Sequence, residues 1–164
     1  MSTNKPAHFD RSLLGPEDQA ILQEFYARKE RFDQYLQARQ VHLVTCPGCG
    51  YPTLTQRKGY EICLVCNWED DGQDEAQADE VWGGPNGNMS LTENRLGIGA
   101  LLQAKAAEQG AAILTEPGQV LPILEYHQEV IDRFIDQGVE GPSGVAMYKV
   151  KVEQLLKALT GKKG

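Results

Sequence analysis

Two Cys-x-x-Cys pairs separated by thirteen residues constrain the fold of this chain more than any other feature. The first pair is Cys46-Pro-Gly-Cys49 and the second is Cys63-Leu-Val-Cys66. Each pair can bend the backbone into a knuckle that directs two thiolates at one point about 2.3 Å away, and two pairs complete a tetrahedron. The spacing therefore predicts that all four thiols bind one structural Zn²⁺ ion, with no open position for a reactive ligand.

Other uses of the four thiols are consistent with the same sequence. Iron, alone or in a cluster, also accepts four thiolates. A redox Cys-x-x-Cys normally stands alone at the start of a helix that lowers one thiol pKa, so two matched pairs argue against it. Four buried free thiols are the simplest alternative. His42 precedes Cys46 by four residues and is interpreted as an ordinary strand residue, since it could be a ligand only if a cysteine were displaced.

The bulk composition indicates a globular protein with a core of its own. A chain of 164 residues with 41% hydrophobic content can bury a core without a metal or disulfides holding the whole chain. No apolar run approaches the roughly 20 residues needed to cross a bilayer, and the N-terminus has no apolar segment long enough for a signal peptide. We therefore expect a cytoplasmic protein without a membrane partner, in which thiols stay reduced.

Periodicity and turn residues predict an α+β protein, with a small zinc-ribbon β-hairpin module packed with about four α-helices. Apolar residues at helical spacing predict an amphipathic helix over residues 17–40. A Ser-Leu-Thr-Glu capping box predicts a second helix over residues 91–109. Two further helices are expected over residues 122–137 and 143–159, followed by a tail that frays.

The cysteine region is expected to contain the strands. The segment VHLVT at residues 41–45 is a strand candidate, and residues 51–65 read as a β-hairpin that turns at Lys58 and Gly59. The chain then divides into three parts that are expected to form one compact unit. These are an N-terminal helix with a lead-in strand (1–44), the cysteine region with an acidic loop (45–97) and a C-terminal helical region (98–164).

Three segments together resemble one protein family. They are CPGCGYPTL, YEICLVCNWEDDGQ and GGPNGNMSLTENR, all within residues 45–97. In this combination they are similar to the bacterial cysteine-rich CPCC domain family. Gly48 departs from the pattern, because the family name places a cysteine there, and Leu64 and Asn67 replace an expected proline and aromatic residue. The resemblance implies a place among bacterial toxin and immunity proteins, without implying an activity.

An acidic segment follows the second cysteine pair. Nine carboxylates and no Lys, Arg or His lie between Lys58 and Arg95, in a chain whose net charge is −7. Most runs of this kind are solvated faces. A calcium loop is not indicated, because Asp70, Asp71 and Asp74 lack the alternating spacing of such loops. Without a neighbouring His or Lys, nothing indicates a tuned acid and base either.

A protein interface is the functional interpretation of this segment. Carboxylates flanked by two tryptophans combine an aromatic anchor with a negative surface that repels phosphate backbones and attracts basic partners. With the family resemblance, this predicts a non-enzymatic, immunity-type inhibitor that neutralises a basic bacterial toxin or effector, for example a nuclease. The predicted partner-binding residues are Trp68, Glu69, Asp70, Asp71, Asp74, Glu75, Asp79, Glu80 and Trp82.

A zinc-ribbon nucleic-acid-binding or regulatory adaptor protein is the alternative function. It would need a basic face with interleaved aromatic residues, whereas Arg57 and Lys58 are the only basic residues between the first and last cysteine. No Ser-His-Asp set, phosphate-binding glycine loop or open metal site indicates an enzyme. The basic residues of the first predicted helix are interpreted as a solvated face, and they are Arg28, Lys29, Arg31 and Arg39.

Overall fold

A computed structural model describes residues 8–136 and 153–161 of the chain. The chain divides into two compact units, Met1–Ala100 and Leu101–Gly164. The described residues form an α+β structure, as predicted, and none of their helices is both long and apolar enough to cross a membrane. The elements are α1 (Pro16–Arg39), α2 (Leu91–Gln109), α3 (Pro117–Asp136), a helical segment at residues 153–158, and the strands β1 (Ala112–Ile113) and β2 (Thr160–Gly161). Short 3-10 helices occupy Arg11–Leu13, Glu75–Gln77 and Gly84–Asn86.

Helix α1 begins and ends close to the predicted residues. Pro16 suits the first turn, where its fixed φ is favourable and its missing N–H is not needed. Glu17 and Asp18 complement the positive end of the helix dipole. The helix ends before Gln40, which adopts a left-handed conformation with φ of 53°. The predicted apolar stripe is buried, and it comprises Ile21, Phe25, Phe32 and Leu36.

Arg28 lies on the same buried stripe, which corrects the interpretation of the basic residues of α1 as a solvated face. Only 3% of Arg28 is exposed, and its guanidinium carbon lies 5.0 Å from the centre of the Tyr51 ring. Arg31 and Arg39 are exposed, as predicted. A buried arginine requires hydrogen-bond acceptors for its guanidinium group, and these lie in the cysteine region described below.

Helix α2 is bounded by the predicted caps. The Ser90 N–H donates to Glu93 Oε1 at 3.0 Å, and the Glu93 N–H donates to Ser90 Oγ at 3.1 Å. This reciprocal pair is the predicted capping box, which satisfies two N–H groups at the start of the helix. Gly110, with φ of 57°, follows its last residue and supplies the left-handed conformation that commonly ends a helix.

Gly99 lies inside α2 at a close contact with α1. A Cβ at this position would overlap Cγ2 of Ile21, whereas nothing lies within 4 Å of a Cβ built at Gly97. We expect Gly99→Ala to lower the free energy of unfolding by about 1–3 kcal/mol through overpacking. Gly97→Ala should raise it by about 1 kcal/mol through helix propensity. Urea denaturation of both variants tests the contact, and changes of the same sign would contradict it.

The strand predicted at residues 41–45 and the hairpin predicted at residues 51–65 are replaced by two isolated bridges. Each bridge closes around one cysteine pair, so the two halves of the predicted hairpin do not pair with each other in the described residues. Tyr60, in the second half of the predicted hairpin, has a φ of 58°, and this left-handed conformation interrupts the extended backbone that a strand needs. The bridges join Val44 to Leu54 and Ile62 to Glu69.

In the unit Leu101–Gly164, α3 begins five residues earlier than predicted. Pro117 occupies its first turn, and the N–H groups of Gln119 and Val120 both donate to Glu116 O. Pro122 therefore lies inside the helix instead of starting it. The predicted helix end at residue 137 and residues 143–152 of the fourth predicted helix lie outside the described residues. The α3 residues that the structure shows as buried in this unit are Pro117, Val120, Leu124, His127 and Ile131.

The first two residues of the tail that was expected to fray, Thr160 and Gly161, are paired, which corrects the expectation for them, and residues 162–164 of that tail lie outside the described residues. Ala112 and Ile113 of β1 pair antiparallel with Gly161 and Thr160 of β2. The side-chain amide of Gln109 donates to Thr160 O at 3.1 Å. The helical segment before β2 buries its apolar side chains, as predicted for this part of the fourth helix, and they are Leu155, Leu156 and Leu159.

Candidate metal centre

The four cysteine sulfurs converge on one point. The Sγ atoms of Cys46 and Cys66 are 3.7 Å apart, those of Cys49 and Cys63 are 3.6 Å apart, and all four lie within 4.8 Å of one another. A tetrahedron with metal–sulfur distances of 2.3 Å has edges of about 3.8 Å. The cluster is therefore positioned to hold a metal ion, and the residues predicted as ligands are those that the fold brings together.

The first cysteine knuckle closes on its own backbone. The Cys46 N–H donates to Tyr51 O at 2.8 Å, and the Gly50 N–H donates to Cys46 O at 2.8 Å. The Gly48 N–H points at Cys46 Sγ, at 3.3 Å. Gly50 has φ of 81°, so this turn needs a residue that tolerates the left-handed region.

The second knuckle repeats the same bonds. The Cys63 N–H donates to Trp68 O at 2.9 Å, the Asn67 N–H donates to Cys63 O at 2.9 Å, and the Val65 N–H points at Cys63 Sγ, at 3.4 Å. Asn67 has φ of 65°, equivalent to that of Gly50. Asparagine tolerates this conformation better than most residues. Thr53 adds a further contact, with its hydroxyl 2.9 Å from Cys63 Sγ.

The pKa shifts of three of the four thiols indicate that the centre needs a bound cation. Burial raises the pKa of the Cys46 and Cys49 thiols. Burial acts the same way at Cys63, but hydrogen bonds from the other three thiols and from Thr53 outweigh it and lower the pKa of Cys63. Four adjacent thiolates cannot form in this interior without a compensating cation, and metal binding supplies that charge while releasing protons. The donor set fits a thiophilic divalent ion such as Zn²⁺.

Three buried side chains hold the carbonyl groups of the first knuckle. Arg28 on α1 and Asn94 and Arg95 on α2 each donate to a different one of three consecutive carbonyls. Arg28 is 3% exposed and Arg95 is 1% exposed, so both charges lie in the interior. The bonds are Arg95 Nε to Pro47 O at 2.8 Å, Asn94 Nδ2 to Gly48 O at 3.2 Å and Arg28 Nε to Cys49 O at 2.8 Å.

The sequence analysis missed these three residues, although a signal for the arginines was present. Arg28 lies three residues after Phe25 and four before Phe32, so it occupies a core position of α1. Arg95 lies four residues after Leu91 and three before Ile98, both buried in α2, so it also occupies a core position. A lone arginine on the apolar stripe of a helix requires buried hydrogen-bond acceptors. A cysteine knuckle offers such acceptors, because its backbone carbonyls are not used in a helix or a β-sheet.

Gly48 leaves room for the amide of Asn94. A Cβ at Gly48 would lie 2.5 Å from Asn94 Nδ2 and 3.1 Å from Cys66 Sγ. A cysteine at this position, as in the family pattern, would therefore require Asn94 to move. The amide of Asn94 occupies the space that a fifth thiol would need, and four sulfurs remain for the metal.

Two of the predicted partner-binding residues lie in the interior, which corrects their assignment to an exposed surface. Trp68 is 1% exposed and Asp70 is 0% exposed. The Asp70 carboxylate accepts hydrogen bonds from Arg57 Nε at 2.9 Å and from the Lys58 N–H at 2.7 Å. A buried carboxylate needs such partners, so Asp70 belongs to a structural ion pair. No described residue accepts the buried Trp68 indole N–H.

Three further carboxylates of the segment are engaged by arginines. Partial burial raises the pKa of each, but hydrogen bonds and the charge of the arginine outweigh burial and lower the pKa below its usual value; Tyr26 adds a hydrogen bond to Glu75, and Thr92 adds one to Asp79. These groups are partly exposed, and their charge is largely offset within the protein. The pairs are Asp74 with Arg57 at 2.7 Å, Glu75 with Arg95 at 2.8 Å and Asp79 with Arg11 at 2.6 Å.

The remaining predicted residues form a smaller group at the surface. Glu69, Asp71 and Glu80 form no ion pair with any described residue, and Trp82 is 47% exposed. The Trp82 indole N–H donates to Glu80 Oε1 at 3.1 Å. Exposed apolar side chains that the sequence analysis did not select occur in the flanking segments, and they are Tyr60, Ile62 and Met89.

These features define a cysteine-rich domain with four thiols positioned for a metal ion. The family resemblance is confirmed, since residues 44–110 match the family described as Cysteine-rich CPCC. The match includes all four cysteines, the acidic segment and α2. Comparisons with curated proteins and with solved structures gave no match.

Proposed function

We propose that the chain is a non-enzymatic binding protein in which the four thiols hold a structural Zn²⁺ ion. The convergence of four sulfurs, with pairs 3.6 Å and 3.7 Å apart, carries this proposal. Zinc with four protein ligands keeps no position for water or substrate. The metal is then expected to stabilise the knuckles and to take no part in a reaction.

Metal analysis tests this part of the proposal. Protein purified without added metal should contain one zinc ion per chain by elemental analysis. Iron would be recognised by its visible charge-transfer absorption, and it would replace zinc without changing the ligand set. A chain that carries no transition metal after purification under reducing conditions, and takes up none on titration, would contradict the proposal.

We propose further that an acidic face binds a basic protein partner, as an immunity-type inhibitor binds a toxin or effector. The acidic face comprises Glu69, Asp71, Glu80 and Trp82. Asn86 links Glu69 to Asp71, since its Oδ1 accepts from the Glu69 N–H at 3.0 Å and its amide lies 3.4 Å from Asp71 Oδ2. These bonds hold the backbone of Glu69 and the carboxylate of Asp71 on the same asparagine.

The buried Gln73 connects the carboxylate of Asp71 to the backbone of Glu80. Its N–H donates to Asp71 Oδ1 at 3.1 Å, and its side-chain amide donates to Glu80 O at 3.0 Å. Uncompensated carboxylates beside an exposed tryptophan attract a cationic partner and give it an aromatic anchor. A basic toxin such as a nuclease has the complementary charge, because its cleft must attract phosphate.

A pull-down from the source cell tests the acidic face. The double variant Glu69→Lys with Glu80→Lys should lose a basic protein that the wild-type chain retains. Once that protein is identified, the variant's association rate should fall at least about tenfold at low salt and depend less on salt. Trp82→Ala should instead mainly accelerate dissociation.

A charge-matched variant supplies the control. Glu30→Lys with Glu125→Lys makes the same change in net charge at two exposed helical positions. It should retain the partner with a nearly unchanged association rate. Equal loss by both double variants, or retention by the acidic-face variant, would contradict the assignment.

Arg57 is held by Asp70 and Asp74, so no observation favours nucleic-acid binding. Retention of short DNA or RNA by the chain at about 150 mM salt would instead favour nucleic-acid binding over binding of a basic protein.

A further inference from the structure

We propose that Arg28, Asn94 and Arg95 form a clamp that positions the first cysteine knuckle for the metal. The clamp acts on Cys46 and Cys49, whereas the second knuckle has its own backbone bonds and the contact of the Thr53 hydroxyl with Cys63 Sγ. This inference rests on the metal-binding part of the proposed function, and it is independent of any partner.

The strongest argument concerns one peptide unit. Pro47 O accepts from Arg95 Nε at 2.8 Å, and the Gly48 N–H of the same peptide points at Cys46 Sγ, at 3.3 Å. The C=O and N–H of a trans peptide point in opposite directions within one plane. By holding the carbonyl on one side, Arg95 aims the N–H at the sulfur on the other. Such bonds orient a metal ligand and favour its thiolate form.

The neighbouring carbonyls are held in the same way, which fixes the whole turn between the two ligands. Asn94 Nδ2 donates to Gly48 O at 3.2 Å, and Arg28 Nε donates to Cys49 O at 2.8 Å. In the second knuckle, no side chain of the described residues 8–136 and 153–161 donates to the carbonyl of Leu64, Val65 or Cys66. The two knuckles therefore share a backbone pattern but differ in their side-chain support.

Charge gives the clamp a second role. A divalent ion with four thiolates has a net charge of about −2. Arg28 and Arg95 place two guanidinium groups on the knuckle in an interior where neither is more than 3% exposed. Opposite charges interact strongly in such surroundings, so the two arginines help to compensate the loaded centre.

The clamp is itself held on both sides, so it does not depend on flexible side chains. The Arg95 guanidinium carbon lies 4.2 Å from the centre of the Phe25 ring, and Nη1 binds Glu75 at 2.8 Å. Arg28 lies over the Tyr51 ring at 5.0 Å. The knuckle thus joins α1 to the first turns of α2, and Arg95 extends the connection to Glu75 in the acidic segment.

Separate substitutions test the clamp on the metal-loaded chain. We expect Arg28→Gln and Arg95→Gln each to weaken zinc binding by about 10- to 100-fold, measured by chelator competition at a temperature where the variants are folded. Alkylation followed by peptide mass spectrometry should show that Cys46 and Cys49 become reactive before Cys63 and Cys66. Arg95→Lys keeps the charge and a donor, and should recover most of the affinity.

Arg57→Gln is the matched control. It also removes a partly buried arginine with carboxylate and carbonyl acceptors, but Arg57 binds no carbonyl of the first knuckle. It should lower stability, leave zinc affinity within about threefold and not change the order of alkylation. Equal acceleration at both cysteine pairs in the clamp variants, or unchanged affinity, would overturn the clamp alone. Wild-type protein that binds no metal would overturn both the clamp and the structural metal.

Discussion

Cys46→Ser combined with Cys49→Ser is expected to abolish metal binding and to unfold the cysteine region. Between the end of α1 at Arg39 and the start of α2 at Leu91, the structure has only isolated bridges and short 3-10 helices. Such a segment has little regular hydrogen bonding of its own. Structural zinc in small domains contributes about 10–16 kcal/mol of binding free energy, so loss of the ion should cost several kcal/mol of stability.

Removal of the ion from the wild-type chain should have the same effect without a mutation. Chelation under reducing conditions is expected to lower Tm and to remove amide-exchange protection in residues 44–70. Zinc should restore both, which controls for irreversible damage. Falling pH should also release the ion, because protons compete for the thiolates. A metal-free chain with the Tm and protection of the loaded protein would show that the packing of Tyr51 and Trp68 holds the region without metal.

The parts of the fold that were predicted correctly depend on local signals. The capping box of Ser90 and Glu93, the proline at the start of α1 and the glycine after α2 act within a few residues. The cysteine spacing is local in the same sense, because each knuckle is a turn with its own bonds. Such features can be recognised from a single sequence, and the cysteines predicted as ligands do converge.

The parts that were wrong or missed depend on contacts between distant residues. The acidic segment was interpreted as one surface, yet Asp70 is buried against Arg57, thirteen positions earlier in the chain. Arg95 reaches Pro47 across 48 positions. Composition shows how many charges a segment has, but only the fold shows which arginine lies against which carboxylate. The hairpin was wrong for a related reason, since Tyr60 adopts a left-handed conformation and Ile62 pairs with Glu69, neither of which a β-branched pattern reveals.

The pairing of carboxylates with arginines reduces the set of residues that the functional proposal assigns to partner binding. Three arginines take up four of the carboxylates, so a partner would meet Glu69, Asp71 and Glu80 beside Trp82 and not the whole run. Arg95 binds both the first knuckle and Glu75, so the metal centre and the acidic segment share a contact. The structural role of the centre would then extend to Glu75 in the acidic segment.

The ion pair between Arg57 and Asp70 is expected to contribute more to stability than any exposed pair in this region. Arg57→Met would leave a fully buried carboxylate with only backbone donors, and breaking a buried pair in this way costs about 3–5 kcal/mol. Arg11→Met breaks the partly exposed pair with Asp79 and should cost less than about 1 kcal/mol. Urea denaturation at pH 7 compares the two, and equal losses would contradict the structural role of Asp70.

The pH dependence of the same variant provides a separate test. Burial raises the pKa of Asp70, but Arg57 and the backbone N–H groups of Lys58 and Gly72 outweigh it and lower the pKa below its usual value. The unfolded chain, in which the Asp pKa is about 3.9, therefore binds the proton more readily than the folded chain does. The stabilisation by the ion pair is complete at pH values above about 3.9. It is lost as the pH falls through the lowered pKa of the folded state. With the metal bound in both proteins, the deficit of Arg57→Met should accordingly be largest near pH 7 and shrink as the pH falls, and a constant deficit would mean that packing of the arginine, and not its charge, holds the segment.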